Sequence, residues 1–71
     1  MDRIKINTEY IKIDQLLKWA GVIGSGADAK MLIADGLVQV NGIVINQRGK
    51  KVFPGDSIIV HMGKEIKFIV E

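Results

Sequence analysis

The sequence predicts an α+β domain in which two short adjacent helices pack on a small, mostly antiparallel sheet of about four to five strands, and three observations carry that prediction. Two consecutive segments repeat small or apolar residues at helical offsets: Ile13, Leu16, Leu17 and Ala20, then Ala29, Leu32, Ile33 and Gly36. After Gly36 the pattern changes to strand-like runs. Asn41-Gly42 separates Leu37–Val40 from Ile43–Ile45 and accepts the positive φ values that a tight hairpin turn requires.

Each element has a local reason. Ile4 and Ile6 alternate with Arg3 and Lys5, the two-residue period of a strand with one wet face, so residues 3–7 read as a short edge strand. The first helix, about two turns long, begins near Ile13 and stops at Gly21. Gly24-Ser25-Gly26 is a sharp connection in which Ser25 caps the second helix, because Asp28 follows three positions later as in a capping box. That helix runs from Gly26 to about Asp35, and Gly36 ends it in the left-handed conformation. Asn46 to Lys51 is a polar, basic connection and Pro54-Gly55-Asp56 a turn. Ser57–Met62 and Ile66–Val70 are the last strands, joined through Gly63-Lys64. The first and last strands are expected to be neighbours, both being half-polar and the termini of small domains often meeting.

Composition limits the possible functions. With 71 residues, 48% of them hydrophobic, the chain has room for a single domain over 1–71 and one modest core. Cysteine is absent, which leaves packing alone to hold the fold and fits a reducing compartment. No apolar run approaches the roughly 20 residues of a membrane span, and Met-Asp-Arg-Ile-Lys-Ile lacks the apolar core of a signal peptide, so a cytoplasmic protein is expected. His61 is the sole histidine and has no companion ligands, so no metal or cofactor is expected. Asp14 lies in a helix's first turn and Asp56 in a turn, contexts that explain both without catalysis. A helix-turn-helix DNA reader is disfavoured because the outward positions Asp28, Met31 and Asp35 would repel phosphate or offer it nothing. A sulfur carrier needs a Gly-Gly end, whereas this sequence ends Phe68-Ile69-Val70-Glu71.

The net charge of +2 is mild, but its distribution is uneven. Residues 1–35 carry five basic and five acidic side chains, while residues 36–71 carry five basic and three acidic, with Arg48, Lys50 and Lys51 clustered. Such a cluster on a rigid fold makes a local positive field that a polyanion feels.

The run Lys12-Ile13-Asp14-Gln15-Leu16-Leu17-Lys18, then Gly24-Ser25-Gly26 with Ala29-Lys30, Leu32-Ile33, Gly36, Val38, Val40-Asn41-Gly42, and Pro54-Gly55-Asp56 with Ile58 and Val60 resembles the RNA-binding domain of the ribosomal-protein-S-four type. The resemblance covers roughly residues 11–60, with residues 3–7 and 66–70 as added edge strands, and is strongest to the short stand-alone bacterial members. Each fragment alone is weak; their order and spacing together are specific. Many members have Arg where this chain has Lys12, and Arg directly after the serine where it has Gly26. Ammonium is a point charge and guanidinium a planar fork, so weaker intrinsic binding than in the Arg-bearing members is expected.

The resemblance implies non-catalytic binding of structured RNA, ribosomal or transfer, with a ribosomal subunit or assembly intermediate as the setting and the protein acting as a monomer. The same module is appended to RNA-modifying enzymes, but a catalytic body is missing here. RNA contacts need spaced cations and donors that reach phosphate and 2′-hydroxyl oxygens. The start of the second helix offers backbone donors at Ser25, Gly26 and Ala27, with Lys30 one turn in. The loop with Arg48, Lys50 and Lys51 is expected to share that face, Lys12 and Lys18 to add charge from the first helix, and Asn41 to serve first as a turn and second as a contact. Trp19 lies about 110° from the centre of its apolar stripe, a boundary position more suited to covering the core edge than to stacking on a base. The rival reading is a protein-interaction adaptor on a ribosome-associated complex, suggested by the mild charge and an outward Met31.

Overall fold

The computed structural model describes residues 2–71. Its elements, in chain order, are β1 (Asp2–Ile4), β2 (Ile11–Lys12), α1 (Ile13–Trp19), α2 (Gly26–Ala34), β3 (Val38–Val40), β4 (Ile43–Val44), β5 (Lys51–Val52), β6 (Ser57–Met62) and β7 (Lys64–Val70).

Strands β6 and β7 form the long antiparallel pair on which the rest is assembled, with Ser57 opposite Ile69 and Met62 opposite Lys64. On the other side of β6 lies β3, also antiparallel, with Val38 against Val60 and Val40 against Ile58. The two-residue period is plain here: Val38, Val40, Ile58, Val60, Phe68 and Val70 are buried, while the residues between them are half-buried or exposed. The full sheet order is β1-β7-β6-β3-β4. Strands β3 and β4 close through Asn41-Gly42, with φ of 53° and 82°, the paired positive values of the expected hairpin turn.

The first and last strands are neighbours as expected, and they run parallel. A parallel pair needs a long crossover, and here everything between Ile4 and Lys64 supplies it. The regular strand β1 is shorter than the expected 3–7. Its hydrogen bonding continues past Ile4, with Glu71 N–H donating to the Ile4 carbonyl and Ile6 N–H to the Glu71 carbonyl, both 2.8 Å, which leaves Ile6 buried. Strand β7 begins at Lys64 rather than Ile66, because Gly63 alone makes the reversal.

Both helices end as the glycines predicted. In α1, Gly21 N–H reaches the Lys18 carbonyl and Val22 N–H the Leu17 carbonyl; in α2, Gly36 N–H reaches Ile33 and Leu37 N–H reaches Leu32. These are two Schellman closures, and each needs the left-handed residue that Gly21 (φ 74°) and Gly36 (φ 72°) provide. Ser25 caps α2 by accepting from Asp28 N–H at 3.4 Å, the first half of the predicted capping box. Ile13, Leu16, Leu17, Ala29 and Ile33 join the buried face of the sheet in one apolar cluster.

Leu16 is fully buried in that cluster, so Leu16→Ala should lower stability by about 2–5 kcal/mol, read as a fall in the urea midpoint with an unchanged slope. At the hairpin, Asn41→Ala should cost roughly 1–3 kcal/mol because it loses both the αL tolerance and the side-chain bonds of Asn41. Asn41→Gly, which keeps the φ value and loses only the bonds, should fall between that variant and the parent in the same titration.

Candidate nucleic-acid interface

Strands β2 and β5, unforeseen in the sequence, pair antiparallel with Ile11 opposite Val52 and Lys12 opposite Lys51. Val52 is fully buried and anchors the pair, while Lys12 and Lys51 stay exposed. The loop leading into β5 then turns over the start of α1. Lys12, at the N-cap, makes no side-chain capping bond; instead Ile13 N–H donates to the Lys50 carbonyl at 2.9 Å and Asp14 N–H to the Arg48 carbonyl at 3.3 Å. A further bond from Lys50 N–H to the Gln47 carbonyl, 3.3 Å, tightens the loop itself.

This wiring brings Lys12, Arg48, Lys50 and Lys51 together at one end of the molecule. All four are exposed. The ion pairs among the described residues, Arg3 with Glu71 and Lys67 with Glu65, use none of them. Asp14, the nearest acidic residue in sequence, turns one carboxylate oxygen onto its own helix, accepting from Gln15 N–H at 2.8 Å. The cluster therefore keeps its positive charge facing solvent, where a polyanion can meet it.

A shallow groove of about 500 Å³ runs beside the cluster. Lys50, Lys51, Asn46, Gln47 and Phe53 line it, together with Ile43, Val44, Asn41 and Asp56. Phe53 packs against Tyr10, ring centroids 5.9 Å apart at 49°, and the Lys51 ammonium sits 4.7 Å from the Tyr10 ring centroid. Both rings are partly open, Tyr10 at 37% and Phe53 at 43% exposure. The reading of the sequence passed over these two aromatics. Their signal was the β2–β5 register, which carried one step further sets Tyr10 opposite Phe53, and that register is invisible until the pair is known.

The other candidates are placed as follows. Asn41 lines the groove but commits its amide to the fold: its Oδ1 accepts from Ser57 N–H at 2.9 Å and its Nδ2 donates to Asp56 at 3.1 Å. Asp56 also accepts from Phe53 N–H at 2.8 Å, so the hairpin turn and the Pro-Gly-Asp turn are one hydrogen-bonded unit. Ser25, Gly26 and Lys30 stand at the start of α2, and no hydrogen bond, ion pair or groove among the described residues joins them to the basic loop. The cationic loop is hydrogen-bonded to the start of the first helix. Lys18 lies in the last turn of α1 and is exposed. Trp19, expected at the core edge, is 61% exposed, and Met31 is outward as expected, at 65%. His61 lies on β6 opposite Glu65, and no group of three metal-ligating side chains occurs among the described residues.

Comparison with known proteins shows which chains this one resembles. The chain is 44% identical over 55 residues to the probable ribosome maturation protein RlbA of Bacillus subtilis, a match covering 78% of each chain. It is 35% identical over 54 residues to the tyrosine–tRNA ligase of Thiobacillus denitrificans, covering 76% of this chain and only 14% of the ligase. Among solved structures it superposes on heat shock protein 15 of Vibrio cholerae, described as trimeric, with a TM-score of 0.78 and 25% identity, covering 89% of this chain and 64% of that one. It also matches YbcJ of E. coli, whose solution structure is described as revealing a motif involved in RNA binding, with a TM-score of 0.65, 28% identity, and 97% and 87% of the two chains covered. The S4 domain family model matches residues 4–70, beyond the 11–60 expected and through β7, which lies inside the sheet between β1 and β6 rather than at the edge expected for 66–70, and the chain belongs to the S4 domain family.

Proposed function

We propose that this protein binds structured RNA, without chemistry of its own, through the cationic end built from Lys12, Arg48, Lys50 and Lys51. One observation carries the reading: backbone hydrogen bonds hold Arg48 and Lys50 against the start of α1, the β2–β5 pairing sets Lys51 opposite Lys12, and none of these four exposed cations has a carboxylate partner among the described residues. The held backbone keeps these cations close together, and the release of counterions from the RNA favours binding when phosphate arrives. With a net charge of only +2, binding depends on where the charge sits rather than on its total.

The start of α2 extends the same reading. Ser25 holds the first turn, Gly26 leaves the backbone open, and Lys30 stands one turn on, so Ser25, Gly26 and Lys30 form a second phosphate contact, with Lys18 between the two helices' ends. Ribosomal RNA in an assembly intermediate is the favoured target, supported by the ribosome-maturation name of the Bacillus relative; transfer RNA is the other, supported by the ligase that carries a similar segment. An adaptor role on a ribosome-associated complex is the second reading. It is favoured by the apolar groove that Met31, Leu32, Leu37 and Met62 form between Asp28 and Asp35, and pull-down with and without ribonuclease separates the two.

Affinity for a ribosomal RNA fragment should fall with salt at a log-log slope of about −3 for the four cations of the α1 end, steeper by about 0.7 for each of Lys18 and Lys30 that also meets a phosphate. A slope near zero in a filter-binding titration would remove the RNA reading. Lys50→Glu with Lys51→Glu should abolish the binding and leave the circular dichroism spectrum unchanged, since both side chains are exposed. A side chain at Gly26 meets nothing within 4 Å, so Gly26→Arg should fold normally, bind more tightly and steepen the salt slope by roughly 0.7–0.9.

A further inference from the structure

We propose that the groove beside the basic loop is a seat for one unpaired nucleotide, whose base stacks on Phe53 while Lys50 and Lys51 hold its phosphate; this deepens the RNA-binding reading and rests on it.

The groove, at about 500 Å³, falls within the roughly 300–1,000 Å³ of sites that take small ligands. Phe53 lines it and is 43% exposed, an apolar ring left facing water on a chain that buries its other phenylalanine almost completely. Tyr10, which does not line the groove, packs on Phe53 at a tilt of 49° rather than stacked in parallel, and Phe53 remains partly open where it lines the groove. Tyr10 has a second task. With the Lys51 ammonium 4.7 Å from its ring centroid it holds that side chain at the groove's edge, which makes Tyr10 a positioning residue for a phosphate contact.

The polar groups of the groove divide into used and free. Both oxygens of Asp56 and the amide of Asn41 are turned into the fold, to Phe53 N–H, to Ser57 N–H and to each other. The acidic side chain in the wall is thereby partly neutralised as an obstacle to phosphate. Asn46 and Gln47 are different. Their carboxamides make no hydrogen bond among the described residues, and each offers a donor and an acceptor to the edge of a base. A π face, two free carboxamides and two cations within one groove suit a nucleotide better than either a bare phosphate or an apolar peptide. Paired RNA keeps its bases inside the helix, so only a bulged, looped or terminal nucleotide can reach this seat.

The test uses a fully paired RNA hairpin and the same hairpin with one bulged adenosine. The unaltered protein should bind the bulged form about tenfold more tightly. Phe53→Leu keeps the apolar cover and removes the π face, and should erase that preference while leaving affinity for the paired hairpin unchanged. Independently of any variant, the Phe53 ring resonances of the unaltered protein should move on adding the bulged hairpin and stay in place with the paired one. Equal binding of the two hairpins, or a preference that survives Phe53→Leu, would overturn the nucleotide seat and leave RNA binding standing. Failure to bind either hairpin at low salt would overturn both.

Discussion

The first turn of α1 has donors and no side chain to receive them, and the way this shortage is met organises the molecule. The carbonyls of Arg48 and Lys50 accept from Asp14 and Ile13, so a loop distant in sequence becomes the cap of a helix. A seven-residue helix has no stability of its own in water. It persists because Ile13, Leu16 and Leu17 are buried in the shared core and because the loop closes its exposed end. The same two bonds point the side chains of the loop outward, beside Lys12. Helix, loop and charge cluster therefore stand or fall together, and the basic end is a product of the fold's own hydrogen-bond needs.

A second unit of the same kind lies across the groove. Asn41 sits at φ 53°, a conformation that asparagine tolerates better than most residues, and its side chain reaches the turn around Asp56. Two turns separated by more than ten residues are thus locked by side-chain amide and carboxylate. This lock fixes the wall of the groove and the backbone of Phe53, so the ring is presented by a rigid frame. Polar residues that would be natural ligand contacts in isolation are consumed in making the frame, while the groove-lining side chains of Asn46, Gln47, Lys50 and Lys51 make no hydrogen bond or ion pair among the described residues.

Electrostatics follows from placement. The two ion pairs among the described residues tie Arg3 to Glu71 and Lys67 to Glu65, on the sheet's β1 and β7 side. The cations at the α1 end are left without such partners. On α2 and its C-cap, Asp28 and Asp35 border an apolar groove. A chain close to neutral overall is in this way divided into surfaces of different character, which favours one orientation toward a polyanion over others.

Local chemistry determined much of this protein. The helix stops at Gly21 and Gly36, the Ser25 cap, the Asn41-Gly42 hairpin and the alternation of β3 and β6 each depend on residues within a few positions of one another, so the sequence alone was enough to read them. The order and spacing of those same residues also disclosed the S4 domain family. Tertiary structure alone decided which distant segments would meet. Strands β2 and β5 are two residues each, too short to leave a period, and exist only because Val52 is buried beside the helix they flank. Their pairing placed the basic loop beside the start of the first helix and set Tyr10 against Phe53. Local pattern records what a residue prefers within one turn or one strand; contacts across dozens of residues depend on closing the whole core, and no short window of sequence contains that information.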